Sequence, residues 1–372
     1  MAVNALREKI EREISERGAI PFSRYMELCL YDPDHGYYAR HAGQFGKAGD
    51  FYTASDVHAV FGRLLARQFD EMWRALGRPE AIELRELGPG RGLFARDVLD
   101  WSRKRFPEFF EAVHYRLAER SAALCERLRQ TLGSHLEAGK ASLCAAADAT
   151  SPAVIVFANE FFDALPVEIM SREGALRVSA EAGRLLEVWT AASEEEREFL
   201  ERYSVPPDGR ERLEVALLAQ RSMAAIAGSI ERGFLIAIDY GYTRAEQEAG
   251  RRRGTLMTYR RHAAGVNPYE APGEQDITAH VNFTALAAAA EKNGMQVERL
   301  VTQSQFLMGI GEANQFADAF EEARLPQERA KVALQLKHLV TPAGMGESFH
   351  VLIASKGVEA TGLSGLSFHA RL

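Results

Sequence analysis

Glu86-Leu87-Gly88-Pro89-Gly90-Arg91-Gly92 directly follows an apolar run and opens a segment with helical spacing. Glycines so placed let the backbone turn sharply and approach a ligand, while a helix N-terminus offers free N–H groups. A dinucleotide-binding turn requires glycines at relative positions one, three and six. Here position six is Leu93, and the third glycine falls one residue early. The string is therefore either a tight strand-to-helix turn without a ligand or a cradle of the G-x-G-x-G form preceded by an acid. Glu119 ends the next strand-like run, where a carboxylate suits the two donor hydroxyls of a ribose. The alternative is a surface member of the Glu119-Arg120 pair. Asp148 ends the third run, where an acceptor suits an adenine amino group or an Asp caps the turn into Thr150-Ser151-Pro152. Asn159, Glu160 and Asp163 lie in Asn-Glu-Phe-Phe-Asp-Ala-Leu-Pro, at the carboxyl end of the fourth run. Two carboxylates and an amide on a Phe-Phe turn are costly to leave in apolar surroundings without a partner. A helix N-cap with a solvated Asp is the plainer reading.

The elements that must hold these residues are strands at 81–87, 113–119, 141–148, 153–158, 234–240, 296–306 and 349–356. Helical patterns separate most of them, which predicts an α/β fold with a doubly wound, mostly parallel sheet. Such sheets bind ligands at the carboxyl edge of the strands, where the fourth neighbours the first. Residues 81–166 and 231–357 form the expected core, 1–80 an N-terminal helical and lid segment, and 358–372 a tail. Residues 167–230 read as an inserted α+β segment, a short meander over 167–189 followed by helical spacing over 193–228. Leu6, Ile10 and Ile14 form one stripe on a helix ending at Gly18, and Val57 to Leu76 hold helical spacing again. Between them, 21–62 is dense in aromatics, glycine and histidine and reads as an ordered loop layer, not a regular core element.

The chain has 372 residues, a formal charge of −7, 47% apolar and 26% charged residues, which is ordinary globular composition. No apolar run approaches the ~18 residues of a membrane span. Glu8, Glu11, Glu13 and Glu16 argue against a secretory signal or transit peptide, so a cytoplasmic enzyme is expected. Cys29, Cys125 and Cys144 contain no CxxC, and no histidine pair forms HExxH, so neither a zinc site nor any other metal is expected. Gly46-Lys47 lacks the leading glycine and the Ser/Thr of a P-loop, with His41 and Ala48 in their places. Gly362-Leu-Ser364-Gly365 is not a nucleophile elbow, because Leu366 takes the closing position.

The strings at 49–62 (GDFYTASDVHAVFG), 86–92, 158–167 (ANEFFDALPV), 238–241 (IDYG), 267–283 (NPYEAPGEQDITAHVNF) and 345–352 (MGESFHVL) together resemble the MidA-like family. That family includes the mitochondrial complex I assembly protein arginine methyltransferase. The resemblance runs from about Pro21 to Lys356 and implies a class I methyltransferase fold, Rossmann-like, with S-adenosyl-L-methionine as donor. It further implies ω-N methylation of an arginine in a protein substrate. On it, Asp50 pairs the donor's α-ammonium with Thr53 nearby, in a segment that lids the cofactor. Asp50 is otherwise a turn residue after Gly49. Glu86, Gly88, Pro89, Gly90, Gly92, Glu119, Asp148 and Asn159 complete the expected cofactor set.

An arginine stays protonated and presents a planar fork of five donors that carboxylates grip in pairs. Glu160 and Asp163 are the best placed pair, with Asn159 orienting the donor. Asp276 and His280 are placed on the substrate side, although a lone histidine is more often structural. Two rivals remain at this stage. Arg251, Arg252, Arg253, Arg260 and Arg261 with Tyr259 suit an RNA methyltransferase, although the acidic total favours a solvated loop or a dock for an acidic partner. The other rival is an assembly factor that binds the cofactor only to fold.

Overall fold

The computed structural model describes residues 5–40, 59–144, 153–208, 211–250, 254–260, 263–265 and 267–368. Its contacts divide the chain into two units. One comprises Tyr52–Phe161, Ala224–Tyr240 and Ala290–Leu372; the other comprises Met1–Phe51, Phe162–Met223 and Gly241–Ala289. The helices before Phe51 thus share a unit with residues 167–223 of the expected insertion, and 224–230 belong to the first unit.

The first unit is built on a sheet whose strands are β1 (Ile82–Leu87), β2 (Val113–Ala118), β3 (Ala141–Cys144), β4 (Val154–Asn159), β5 (Gly233–Tyr242), β6 (Gln296–Val297), β7 (Val301–Thr302) and β8 (Phe349–Lys356). Their order is β6-β8-β5-β4-β1-β2-β3, with β7 also on β8. β1 to β5 run parallel, and β8 is antiparallel to β5. Val154-Ile-Val-Phe-Ala and Phe234-Leu-Ile-Ala-Ile are near-continuous apolar runs, as a strand covered on both faces requires, and all ten residues are buried.

The helix Ala59–Ala75 buries Val60, Phe61, Leu64, Leu65, Phe69, Met72 and Trp73, the expected stripe. Phe94, in the helix Leu93–Arg105 that follows the glycine string, stacks on Phe157 of β4 at 4.6 Å, and Phe69 meets Phe157 edge-on. This aromatic stack fixes the helix after β1 against β4, the two elements that carry the candidate site. The strand expected over 296–306 is broken instead. Thr302 caps the helix Gln303–Glu312 by accepting from Gln305 N while Gln305 Oε1 accepts from Thr302 N, and this reciprocal cap starts a helix where strand pairing would continue. Ser364, in the expected tail, donates its N–H and its hydroxyl to Glu71 at 2.9 and 2.8 Å.

The second unit holds a five-stranded antiparallel sheet in the order Ile20–Pro21, Gly174–Glu181, Glu168–Ser171, Leu213–Val215, with Arg184–Thr190 also on Gly174–Glu181. The expected meander is present. A second sheet joins Ala263–Ala264, Met257–Arg260 and Asp276–Thr278. Leu6, Ile10 and Ile14 are buried as expected. The loop-layer reading of 21–62 is corrected over its first part, because Phe22–Tyr31 is a helix that buries Phe22, Tyr25, Met26, Cys29 and Leu30 in the core. The turn residues cluster after Tyr31, and the apolar spacing before it is helical. Asp50, Thr53 and residues 49–58 of the expected lid lie outside the described residues, as does Asp148, while 59–62 begin the helix Ala59–Ala75.

Candidate active site

In the first unit, Leu87 of β1 pairs with Ala118 of β2 and with Ala158 of β4. Gly88, Glu119 and Asn159 therefore leave the sheet side by side at its carboxyl edge, at the reversal point where α/β sheets bind ligands. Gly88 N donates to Ala118 O at 3.1 Å, which locks the start of the turn.

The glycines divide the work. Gly90 sits at φ 53°, and a Cβ there would meet nothing within 4 Å among the described residues, so its conformation is special and those residues leave the space above it open. Gly92, at φ 75°, would set a Cβ 2.7 Å from Leu128 and 3.2 Å from Leu132, and so lets the helix Ala122–Glu137 pack closely. Pro89 O accepts from Gly92 N at 2.9 Å and closes the turn.

Glu86 lies within the sheet. Tyr115 donates its hydroxyl to Glu86 Oε2 at 2.8 Å, and burial pushes the carboxyl up to about 8. The folded chain therefore holds a proton there that the unfolded chain, with an ordinary value of 4.5, gives up. This contribution to stability is fully present below pH 4.5 and is lost as pH rises through about 8. Glu86→Gln is expected to keep the acceptor for Tyr115, remove this slope and stabilise the fold near pH 8 by several kcal/mol, on the order of 1.4 for each unit of separation. Urea unfolding of both proteins at pH 5.5 and 8 measures it; parallel pH dependence in the two would refute it.

Glu119 Oε1 accepts from Arg120 N at 2.8 Å and Ser121 N at 2.7 Å, which aims the carboxylate across the edge. Its Oε2 accepts no hydrogen bond among the described residues, leaving it open to a ligand hydroxyl. Asn159 Nδ2 donates to Glu160 Oε1 at 3.2 Å, whereas Asn159 Oδ1 is buried and has no partner among the described residues. Glu160 adopts φ 48°, a left-handed backbone that is costly for a residue with a Cβ, and Glu160 N donates to Ile238 O at 2.9 Å. Such strain, held by surrounding structure, concentrates at functional sites. These unpartnered acceptors, with the space that the described residues leave above Gly90, fit a ligand that carries hydroxyls and an ammonium, as S-adenosyl-L-methionine does.

In the second unit, Asp163 and Asp276 are 2% and 0% exposed. Asp163 O accepts from Ala279 N at 3.0 Å, which ties the NEFFDALP string to the end of GEQDITAHV. Tyr38 donates to Asp276 Oδ1 at 3.4 Å, and Tyr259 is the register partner of Asp276. Burial first, then the charges of Asp276 and Asp163, raise both phenols above their ordinary value. Two carboxylates and two phenol donors thus share one neighbourhood. His280, half-buried, donates its backbone N–H to Thr255 Oγ1 at 3.0 Å. The sequence reading missed Tyr38 and Tyr259 as members of this group; a hydrogen bond from the helix Tyr37–Arg40 reveals the first and strand pairing the second. It also passed over Asp239, fully buried in β5 one residue beyond the Ile238–Asn159 pair. Arg260 grips Glu274 at 2.6 Å, so it is spent within the protein; Arg251, Arg252, Arg253 and Arg261 lie outside the described residues.

A family model for S-adenosyl-L-methionine-dependent methyltransferases matches residues 64–301. The chain is 29% identical to the mitochondrial protein arginine methyltransferase NDUFAF7 homolog of Drosophila melanogaster, over 96% of this chain and 86% of the relative. It is 28% identical to the mitochondrial protein arginine methyltransferase NDUFAF7 of Mus musculus, over 91% and 81%. A candidate methyl transferase from Burkholderia thailandensis, crystallised with S-adenosyl-homocysteine, superposes with a TM-score of 0.83 at 29% identity, over 98% of this chain and 94% of that one. The expected class I methyltransferase fold and S-adenosyl-L-methionine donor are borne out. The cytoplasmic expectation is corrected, because the relatives are named mitochondrial.

Proposed function

We propose, on the premise that this chain belongs to the family of S-adenosyl-L-methionine-dependent methyltransferases, that it methylates an ω-nitrogen of arginine in a protein substrate. The observation that carries this reading is the strained Glu160 at the carboxyl edge of β4, three residues before the buried Asp163. Three peptide units hold their backbones within about 11 Å of one another. The names of the relatives, protein arginine methyltransferases, agree with it.

The bound donor supplies a methyl group on a sulfonium. Glu119 takes its hydroxyls, and the amide oxygen of Asn159 takes its ammonium. Glu160 and Asp163 grip the guanidinium fork, fix the attacking nitrogen in line and stabilise charge as it shifts. Methylation releases one proton from that nitrogen, and the half-buried Glu160 accepts it and passes it to solvent. Tyr38 donates to Asp276 on the substrate side, with Tyr259 its strand partner and His280 following in the chain.

The test is transfer of a labelled methyl group from S-adenosyl-L-methionine into a cell extract. Label is expected in material destroyed by protease and resistant to ribonuclease. The opposite result would establish an RNA methyltransferase and end this reading.

A further inference from the structure

The second unit also holds a cavity of about 560 Å³, within the range of ligand sites and lined by none of the candidate active-site residues. Phe22, Ile169 and Leu256 give it an apolar floor, and Glu187, Glu211 and Glu214 bring three carboxylates to its wall. Glu187 is already satisfied. Arg212 grips both its oxygens at 2.8 and 2.6 Å, and Tyr269, which also lines the cavity, donates its hydroxyl to Oε1 at 3.0 Å. Arg212 is thereby spent, and no ion pair among the described residues neutralises Glu211 or Glu214.

Glu214 is 3% exposed. Its Oε1 accepts from Thr255 N at 2.6 Å and Leu256 N at 2.8 Å, but its Oε2 is buried without a hydrogen-bond donor. A buried acceptor left so is costly, and burial accordingly raises this carboxyl above its ordinary value. An anionic ligand would meet two acids that no ion pair among the described residues cancels, and a neutral apolar one would leave Glu214 Oε2 unsatisfied among those residues. A cation on an aliphatic stem satisfies both surfaces, laying its stem on the floor and its head against the acids.

We propose that this cavity binds a basic side chain of the protein substrate, a lysine or arginine other than the one methylated. The proposal rests on the protein-substrate reading above and adds to it a preference for substrates with a second basic residue.

Binding of N-acetyl-L-lysine methylamide to the S-adenosyl-homocysteine-loaded protein, followed by calorimetry, tests it apart from methyl transfer. The norleucine analogue, which keeps the stem and lacks the charge, is expected to bind at least tenfold more weakly. Glu214→Gln should weaken the lysine probe at least tenfold, and Glu160→Gln should leave it unchanged. Glu211→Gln, on a half-buried wall position, should weaken it severalfold without moving the thermal midpoint, and it decides the matter should Glu214→Gln not fold. With protein substrate, Glu211→Gln should raise KM at unchanged kcat. Equal binding of the lysine and norleucine probes, or full binding by Glu211→Gln, would overturn the site. A methyl group found on a non-arginine acceptor would overturn the function proposed above and leave the probe result standing.

Discussion

Glu160→Gln and Asp163→Asn are each expected to slow methyl transfer by about one to two powers of ten while leaving donor affinity unchanged. Each removes one charged arm from the grip on the guanidinium, and a charge-assisted hydrogen bond contributes roughly 1.5–3 kcal/mol. An interaction made mainly in the transition state appears in the rate and not in donor binding. The two variants should differ in one respect. Glu160 sits on the carboxyl edge with its Oε1 bonded to Asn159, so Glu160→Gln tests the grip with little change in packing. Asp163 is 2% exposed and its charge bears on two phenols, so Asp163→Asn should also change the electrostatics around Tyr38 and Tyr259. Single-turnover transfer, with donor affinity measured separately on each variant, reads this out. Wild-type rates in both would reduce the acids to turn-capping residues, and loss of donor affinity would move them to the donor side.

Gly90→Val is expected to abolish S-adenosyl-L-methionine binding, whereas Gly92→Ala is expected to damage the fold first. The two glycines lie two residues apart and both have positive φ, yet among the described residues a Cβ at Gly90 meets nothing and a Cβ at Gly92 runs into Leu128 and Leu132. The valine side chain at 90 therefore enters the space left for the ligand, at a backbone cost of about 1–2 kcal/mol. At 100 times its dissociation constant, the donor should stabilise the wild type by ~2.7 kcal/mol and Gly90→Val not at all. NADH should stabilise neither, since Leu93 stands where a dinucleotide turn needs glycine. Calorimetric titration with thermal unfolding separates the effects; retained donor binding by Gly90→Val would contradict the geometry.

The central sheet was legible because its strands are buried on both faces and so must be written as apolar runs. Once β1 and β4 are placed, sheet topology alone puts Gly88, Glu119 and Asn159 on one edge. The helix Phe22–Tyr31 was harder to read, because its apolar spacing is followed at once by Asp32-Pro33 and a glycine-rich stretch, and turn signals dominated the segment. Tyr38 and Tyr259 belong to no local motif. Tyr259 faces Asp276 only through antiparallel pairing across seventeen residues of chain, and register of that kind is set by folding, not by spacing. The same holds for Glu214, whose partners Thr255 and Leu256 come from a distant segment. The division of the chain at Phe161 falls five residues before the boundary expected at 166/167, inside the NEFFDALP string, which runs through it without a change in composition.

The most direct test of the central claim is the chemical position of the transferred methyl group. Protein substrate labelled by the wild-type enzyme, digested and analysed by fragmentation mass spectrometry, should carry the methyl on an ω-nitrogen of arginine, with the label greatly reduced for Glu160→Gln assayed in parallel. A methyl group on lysine, on a carboxyl or on RNA would contradict the guanidinium grip on which the account rests.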